Sequence, residues 1–143
     1  MNMGDQGRVL GIDYGSVRIG MALTDPLRIL ASGAGTLDND VQALRKIADL
    51  IVAQGVRLIV VGMPYAPDGG KGEKAREVDR FIEGLRPLVQ VPIETWDESF
   101  TSVNAREVLR EGGLRKKQRR ERHRIDEMAA RLLLQEYLDS RKP

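Results

Sequence analysis

The chain has 143 residues, 41% of them hydrophobic and 31% charged, enough for one domain whose core needs no covalent staples. It has no cysteine and a single histidine, which excludes disulfides, thiolate metal centres and cysteine nucleophiles and leaves oxygen as the ligand type for any metal site. The formal net charge is +2, yet residues 115–124, RKKQRRERHR, carry seven Lys/Arg against one Glu, a local +6 that leaves the other residues together at −4. Such a run is either a solvated helix start or a phosphate-binding patch, and charge alone does not separate the two. No apolar run approaches the ~18 residues of a membrane span. The opening MNMGDQGR has no apolar signal core, so a cytoplasmic location is expected.

In chain order, RVLGID (8–13) reads as a short buried strand, and VRIGMALTD, after the Gly15-Ser16 turn, as a second strand returning beside it in a hairpin. RILASGAGTL is a third strand, weak in the β-branched residues strands favour. With Asp38 or Asn39 as cap, Val41, Leu44, Ile47, Ala48, Ile51 and Val52 recur at helical spacing as far as Gly55. RLIVVGM is a continuous apolar strand of the kind covered on both faces. PYAPDGGKGEKA is a surface loop, and it opens into a helix with Ala75, Val78, Phe81, Ile82 and Leu85 on one stripe, stopped by Pro87. VPIETW is the next strand and TSVNAREVLREGG the next helix. Ile125, Met128, Ala129, Leu132, Leu133 and Tyr137 make the apolar face of a last helix. A three-strand antiparallel meander followed by two parallel strands on right-handed crossovers predicts an α/β fold. It is a mixed five-stranded sheet with helices on both faces, one unit with its core over about residues 8–139.

Three acidic positions stand out. Asp13 ends the first strand, Asp97-Glu98 ends the last, and Asp126 lies early in the final helix, where the small Ala129 and Ala130 allow close packing. Ligands of open α/β sheets gather at the carboxyl ends of strands, so these acids can share one edge. Each alone is explained as a cap or turn residue, Asp126 pairing with Arg122 for example. All three together cannot ionise cheaply unless they bind Mg²⁺ or Mn²⁺, and such ions suit phosphoryl chemistry. Asp25, beside Pro26 at the far end of the second strand, is a turn residue. Trp96 is expected to pack rather than stack on a base, His123 to lie at the surface, and the methionines to fill the core.

With GIDYGSVRIGMALTD, VVGMPYAPDGGKGEKAREVDRF, WDESFTS and RIDEMAARLLLQEYLD in this order, the chain resembles the YqgF family, also called RuvX. That family is a Holliday-junction-resolvase-like branch of the RNase H-like superfamily. The resemblance implies the RNase H-like fold and a Mg²⁺- or Mn²⁺-dependent nuclease. Asp13, Glu98 and Asp126 would be catalytic and, with Asp97, would bind the metal. It further implies action in 5′-end maturation of precursor 16S rRNA, or on branched or single-stranded DNA. The expected nucleic-acid contacts are Arg18, Lys71, Lys74, Arg115, Lys116, Lys117, Arg119, Arg120, Arg122 and Arg124. Where the family usually reads Asp-Glu-Arg, this chain has Ser99 after Glu98. One alternative is therefore a non-catalytic RNA-binding ribosome assembly factor. A remoter one, from the similarity of GIDYGS to the phosphate loop of actin-like ATPases, is nucleotide turnover, for which the chain is short.

Overall fold

The computed structural model describes residues 6–98 and 119–141. Its strands are β1 (Arg8–Tyr14), β2 (Arg18–Thr24), β3 (Ala31–Asp38), β4 (Val56–Met63) and β5 (Ile93–Asp97). Its helices are α1 (Ala43–Gln54), α2 (Glu73–Leu85) and α3 (Arg119–Ser140). The helix expected over 101–113 lies outside the described residues. The strands form one sheet in the order β3-β2-β1-β4-β5. β1 pairs antiparallel with β2 and β2 with β3, while β4 runs parallel to both β1 and β5, as the meander and crossovers predict.

Alternation along the strands divides the core in two. Leu10, Ile12, Ile19, Met21, Ile59, Val61 and Met63 face α1 and α2, whereas Val9, Ala22, Leu58 and Val60 face α3. The unbroken apolar run of β4 is thereby explained, because both its faces are covered.

Two helices differ from the expected phase. α1 starts only at Ala43, and its buried stripe is Ala43, Ile47, Ala48 and Ile51. Val41 and Val52 are 98% and 83% exposed. Val41 stands in the turn before the helix, and Val52 falls about 100° round from Ile51. Neither Asp38 nor Asn39 caps α1. Asp38 ends β3, the Asn39 side chain donates to the Gly15 carbonyl at 2.8 Å, and Asp40 accepts from the Gln42 amide at 2.9 Å. On α3, Met128 and Leu132 are only half-buried. The covered stripe instead widens to Ile125, Ala129, Ala130, Leu133, Leu134, Tyr137 and Leu138.

Side chains of α3 also hold β3, the strand with the weakest propensity. The Ala31 amide donates to Gln135 Oε1 at 3.0 Å and the Gly35 amide to Glu127 Oε2 at 2.5 Å. His123 Nδ1 bonds to Thr36 Oγ1, so this histidine is half-buried rather than at the surface. The helix can come this close because glycines lie beneath it. A Cβ on Gly20 would collide with the backbone carbonyl of Asp126, and one on Gly11 would lie 2.9 Å from Leu134 Cβ. Glycine inside a strand often marks such an approach of another backbone.

Asp25 is the expected turn residue. Its carboxylate accepts from the amides of Leu27, Ile29 and Leu30 at 3.0, 2.8 and 2.7 Å. These bonds, the one from Leu30 foremost, hold its acid below the usual carboxylate value.

Two outcomes follow. Gly20→Ala must push α3 off the sheet or distort β2, and should lower unfolding free energy by about 1–3 kcal/mol in urea titrations. An unchanged midpoint would contradict the close seat. For Asp25, a lowered native pKa means the carboxylate stabilises the fold above its unfolded value near 3.8, and this is lost as pH falls through the lower native value. The stability gap between wild type and Asp25→Asn should therefore be widest near neutrality and close on acidification below pH 3.8.

Candidate functional site

Cross-strand register lines up the site. Thr36 pairs with Gly20, Gly20 with Asp13, and Gly62 with Trp96. Ile12 pairs with Val61, so the next step brings Asp13 beside Gly62. Thr36, Gly20, Asp13, Gly62 and Trp96 thus make one row across all five strands, on the face beneath α3. The row lies at the carboxyl ends of the parallel strands β1, β4 and β5, the edge at which α/β sheets collect ligands.

Each candidate acid reaches this row by a different route. Asp13 stands in it and is 4% exposed. Glu98, also 4% exposed, follows β5, and its amide donates to the Met63 carbonyl at 3.2 Å. Its carboxylate folds back over Gly62, where a Cβ would lie only 2.6 Å from Oε2. Asp126 is carried over Gly20 by α3 and accepts from Arg18 Nε at 2.8 Å. That ion pair is partly sheltered, with side chains 21% and 14% exposed. Asp97 goes elsewhere. It pairs with Met63, whose side chain belongs to the α1/α2 core, so the pleat sets Asp97 on the face away from Asp13.

An all-oxygen set of carboxylates is what Mg²⁺ or Mn²⁺ prefers. In donor type the three acids suit such an ion. As the side chains stand, no group of three or more Asp, Glu or His among the described residues is close enough to hold one. Asp126 is turned instead to Arg18, a partner 108 positions away in sequence rather than the Arg122 one helical turn back.

Arg122 and Arg124 are exposed on α3, and Arg119 and Arg120 begin that helix. Arg115, Lys116, Lys117 and the unusual Ser99 lie outside the described residues. In the loop between β4 and α2, Lys71 donates to Asp79 at 2.9 Å, which raises the pKa of its ammonium, while Lys74 is exposed in the first turn of α2. Trp96 packs, as expected, edge-on to Tyr137 with ring centroids 5.7 Å apart. Sequence reasoning missed Gly20 and Gly62 as parts of the site. Their signal was glycine inside an otherwise apolar strand.

Comparison with known proteins gives a consistent picture. Residues 7–140 match the model of the family described as "RuvX: Holliday junction resolvase". A relative from Parabacteroides distasonis, named "Putative pre-16S rRNA nuclease", is 37% identical over 95% of this chain and 97% of its own. One of the same name from Chlorobaculum tepidum is 40% identical over 98% and 99%. Among solved structures, RuvC of T. thermophilus in complex with a Holliday junction substrate superposes with a TM-score of 0.58 at 16% identity, covering 94% of each chain. The Fowlpox virus resolvase bound to Holliday junction DNA gives 0.54 at 12% identity, over 93% of this chain and 97% of that one. These two likenesses bear on the fold, which is RNase H-like.

The Arg18–Asp126 pair is open to direct measurement. Arg18→Ala leaves a sheltered carboxylate without its charged donor and should destabilise the fold by roughly 1–3 kcal/mol. In a double-mutant cycle with Asp126→Asn most of that loss should appear as coupling energy. Additive effects of the two substitutions would show that the pair contributes nothing.

Proposed function

Because the chain belongs to the RuvX family, we propose that it is a divalent-metal-dependent nuclease that hydrolyses nucleic-acid phosphodiesters, with precursor 16S rRNA as substrate and branched DNA as a second. The observation that supports this reading is the carboxyl edge of the sheet, where Asp13 stands in the row, Glu98 folds back over Gly62 and α3 carries Asp126 over Gly20. Asp13, Glu98 and Asp126 would hold Mg²⁺ or Mn²⁺, while Asp97 faces the opposite side. Bound there, the ion supplies activation of water and neutralisation of charge developing on the phosphate.

The chain's own residues do the rest. Buried on the face beneath α3, Asp13 and Glu98 set two carboxyl groups at the strand ends where a cation would sit. Arg18 fixes the orientation of Asp126, and the exposed part of its guanidinium would meet a substrate phosphate. Arg122, Arg124 and Lys74 orient the phosphate backbone at the rim, and Lys71 joins them by exchanging Asp79 for phosphate.

The Arg18–Asp126 pair also favours a second reading, an RNA-binding assembly factor in which the acids form internal ion pairs and no cleavage occurs. Labelled precursor 16S RNA and a four-way DNA junction, each with Mg²⁺, Mn²⁺ or EDTA, separate the two readings. A nuclease cleaves only with metal, and Asp13→Asn, which keeps size and burial, loses more than about 100-fold in rate, beyond what supporting residues of metal sites cost. Salt-sensitive binding without cleavage under any condition would instead select the assembly factor.

A further inference from the structure

On the opposite face of the sheet from Asp13, at the same end of β1, an open cavity of about 430 Å³ lies between the β1–β2 turn, the entry to α1 and the side of α2. Its volume is in the range of small-molecule sites. Tyr14, the residue after Asp13, and Phe81 form its aromatic side, with ring centroids 4.7 Å apart and planes at 40°. Val41 stands at its mouth, 98% exposed and outside the α1 stripe. Asp40, Glu77 and Arg80 supply its charged groups.

We propose that this cavity receives one unpaired base of the substrate strand, flanking the phosphate held at Asp13. The inference rests on the nuclease reading and names a specificity subsite for it. Successive residues of a strand point to opposite faces, so Asp13 and Tyr14 set the acidic row and the aromatic wall back to back on one strand end. The exposed Ser16 at the tip of the turn lines the cavity and marks the route by which a strand with a phosphate at Asp13 would bring a base to Tyr14. The Asn39 bond to the Gly15 carbonyl holds that tip in place.

The chemistry selects a base over a phosphate. Two carboxylates against one guanidinium repel a phosphodiester, but they accept from exocyclic amino groups while Arg80 donates to base carbonyls. Aromatic and aliphatic walls cover the flat faces of a base, and Val41 loses its exposure when one enters. A paired base cannot leave its stack without cost, so the cavity favours single-stranded, looped or frayed substrates.

The test is made in EDTA, where binding is read without cleavage, on the full chain with a short single-stranded RNA and the same RNA carrying an abasic site at each position in turn. One abasic position should weaken binding by about 5- to 150-fold, the worth of a single stacked base. In ¹⁵N-resolved spectra the amides of Ser16, Asn39, Leu44 and Arg80 should shift with the intact RNA and not with that abasic one. Val41→Glu, at an exposed position that leaves the core untouched, should close the affinity gap between the two RNAs. Binding with no position-specific abasic penalty, or a penalty that Val41→Glu leaves intact, would overturn the subsite and leave the nuclease reading standing. Absence of binding in EDTA together with absence of cleavage in Mg²⁺ or Mn²⁺ would overturn both.

Discussion

Everything at the acidic edge depends on how closely α3 lies on the sheet. Where the helix crosses β2, the carbonyl of Asp126 occupies the space a side chain at position 20 would need, and Gly20 leaves it open. The same seating sets Leu134 against Gly11 and Leu133 against Gly62. Packing interiors tolerate little volume error, so these contacts determine the height of the helix above the strands. That height decides whether Asp126 reaches Arg18 and the row containing Asp13. The site is therefore a packing feature before it is an electrostatic one.

Two kinds of interaction keep the helix in that position. Along one side its buried stripe meets Val9, Ala22, Leu58 and Val60, a non-directional contribution that grows with apolar area. Along the other, Glu127 and Gln135 accept from β3 amides that would otherwise need another strand, and His123 bonds to the Thr36 hydroxyl. The Ala, Ser and Gly content of β3 suits this arrangement, since bulkier side chains would hold the helix away. At the far end of the sheet Asp25 closes the β2–β3 turn through three amide bonds and takes no part in the acidic edge.

Much of this was legible in the sequence, for reasons that differ by element. The sheet was readable because β4 is apolar throughout and β1 and β2 flank a Gly-Ser turn, patterns with few alternative folds. The start of α1 was misplaced because Val41 continues the helical period by chance, and period alone does not distinguish a turn from a helix. The places of Asp13 and Glu98 at the carboxyl edge followed from strand-end position, but the partner of Asp126 did not. Arg18 and Asp126 are 108 residues apart, and local spacing offered the nearer Arg122. The distinction between Asp97 and Glu98 was available from alternation, since Trp96 and Asp97 must point to opposite faces, yet it becomes decisive only once Met63 is known to pair with Asp97. Glycines were read as turn formers, so the role of Gly20 and Gly62 in admitting a helix and a carboxylate went unseen.

The central claim is that one cation-binding edge is assembled at the row of Asp13. The most direct measurement is paramagnetic broadening of ¹⁵N-resolved amide signals as substoichiometric Mn²⁺ is added to the protein without nucleic acid. The account predicts that signals nearest the row, those of Asp13, Gly20, Gly62, Glu98 and Asp126, vanish first, and that Asp13→Asn protects them. Broadening centred elsewhere, at the Asp68–Asp79 region for instance, or none before gross excess of the ion, would contradict it.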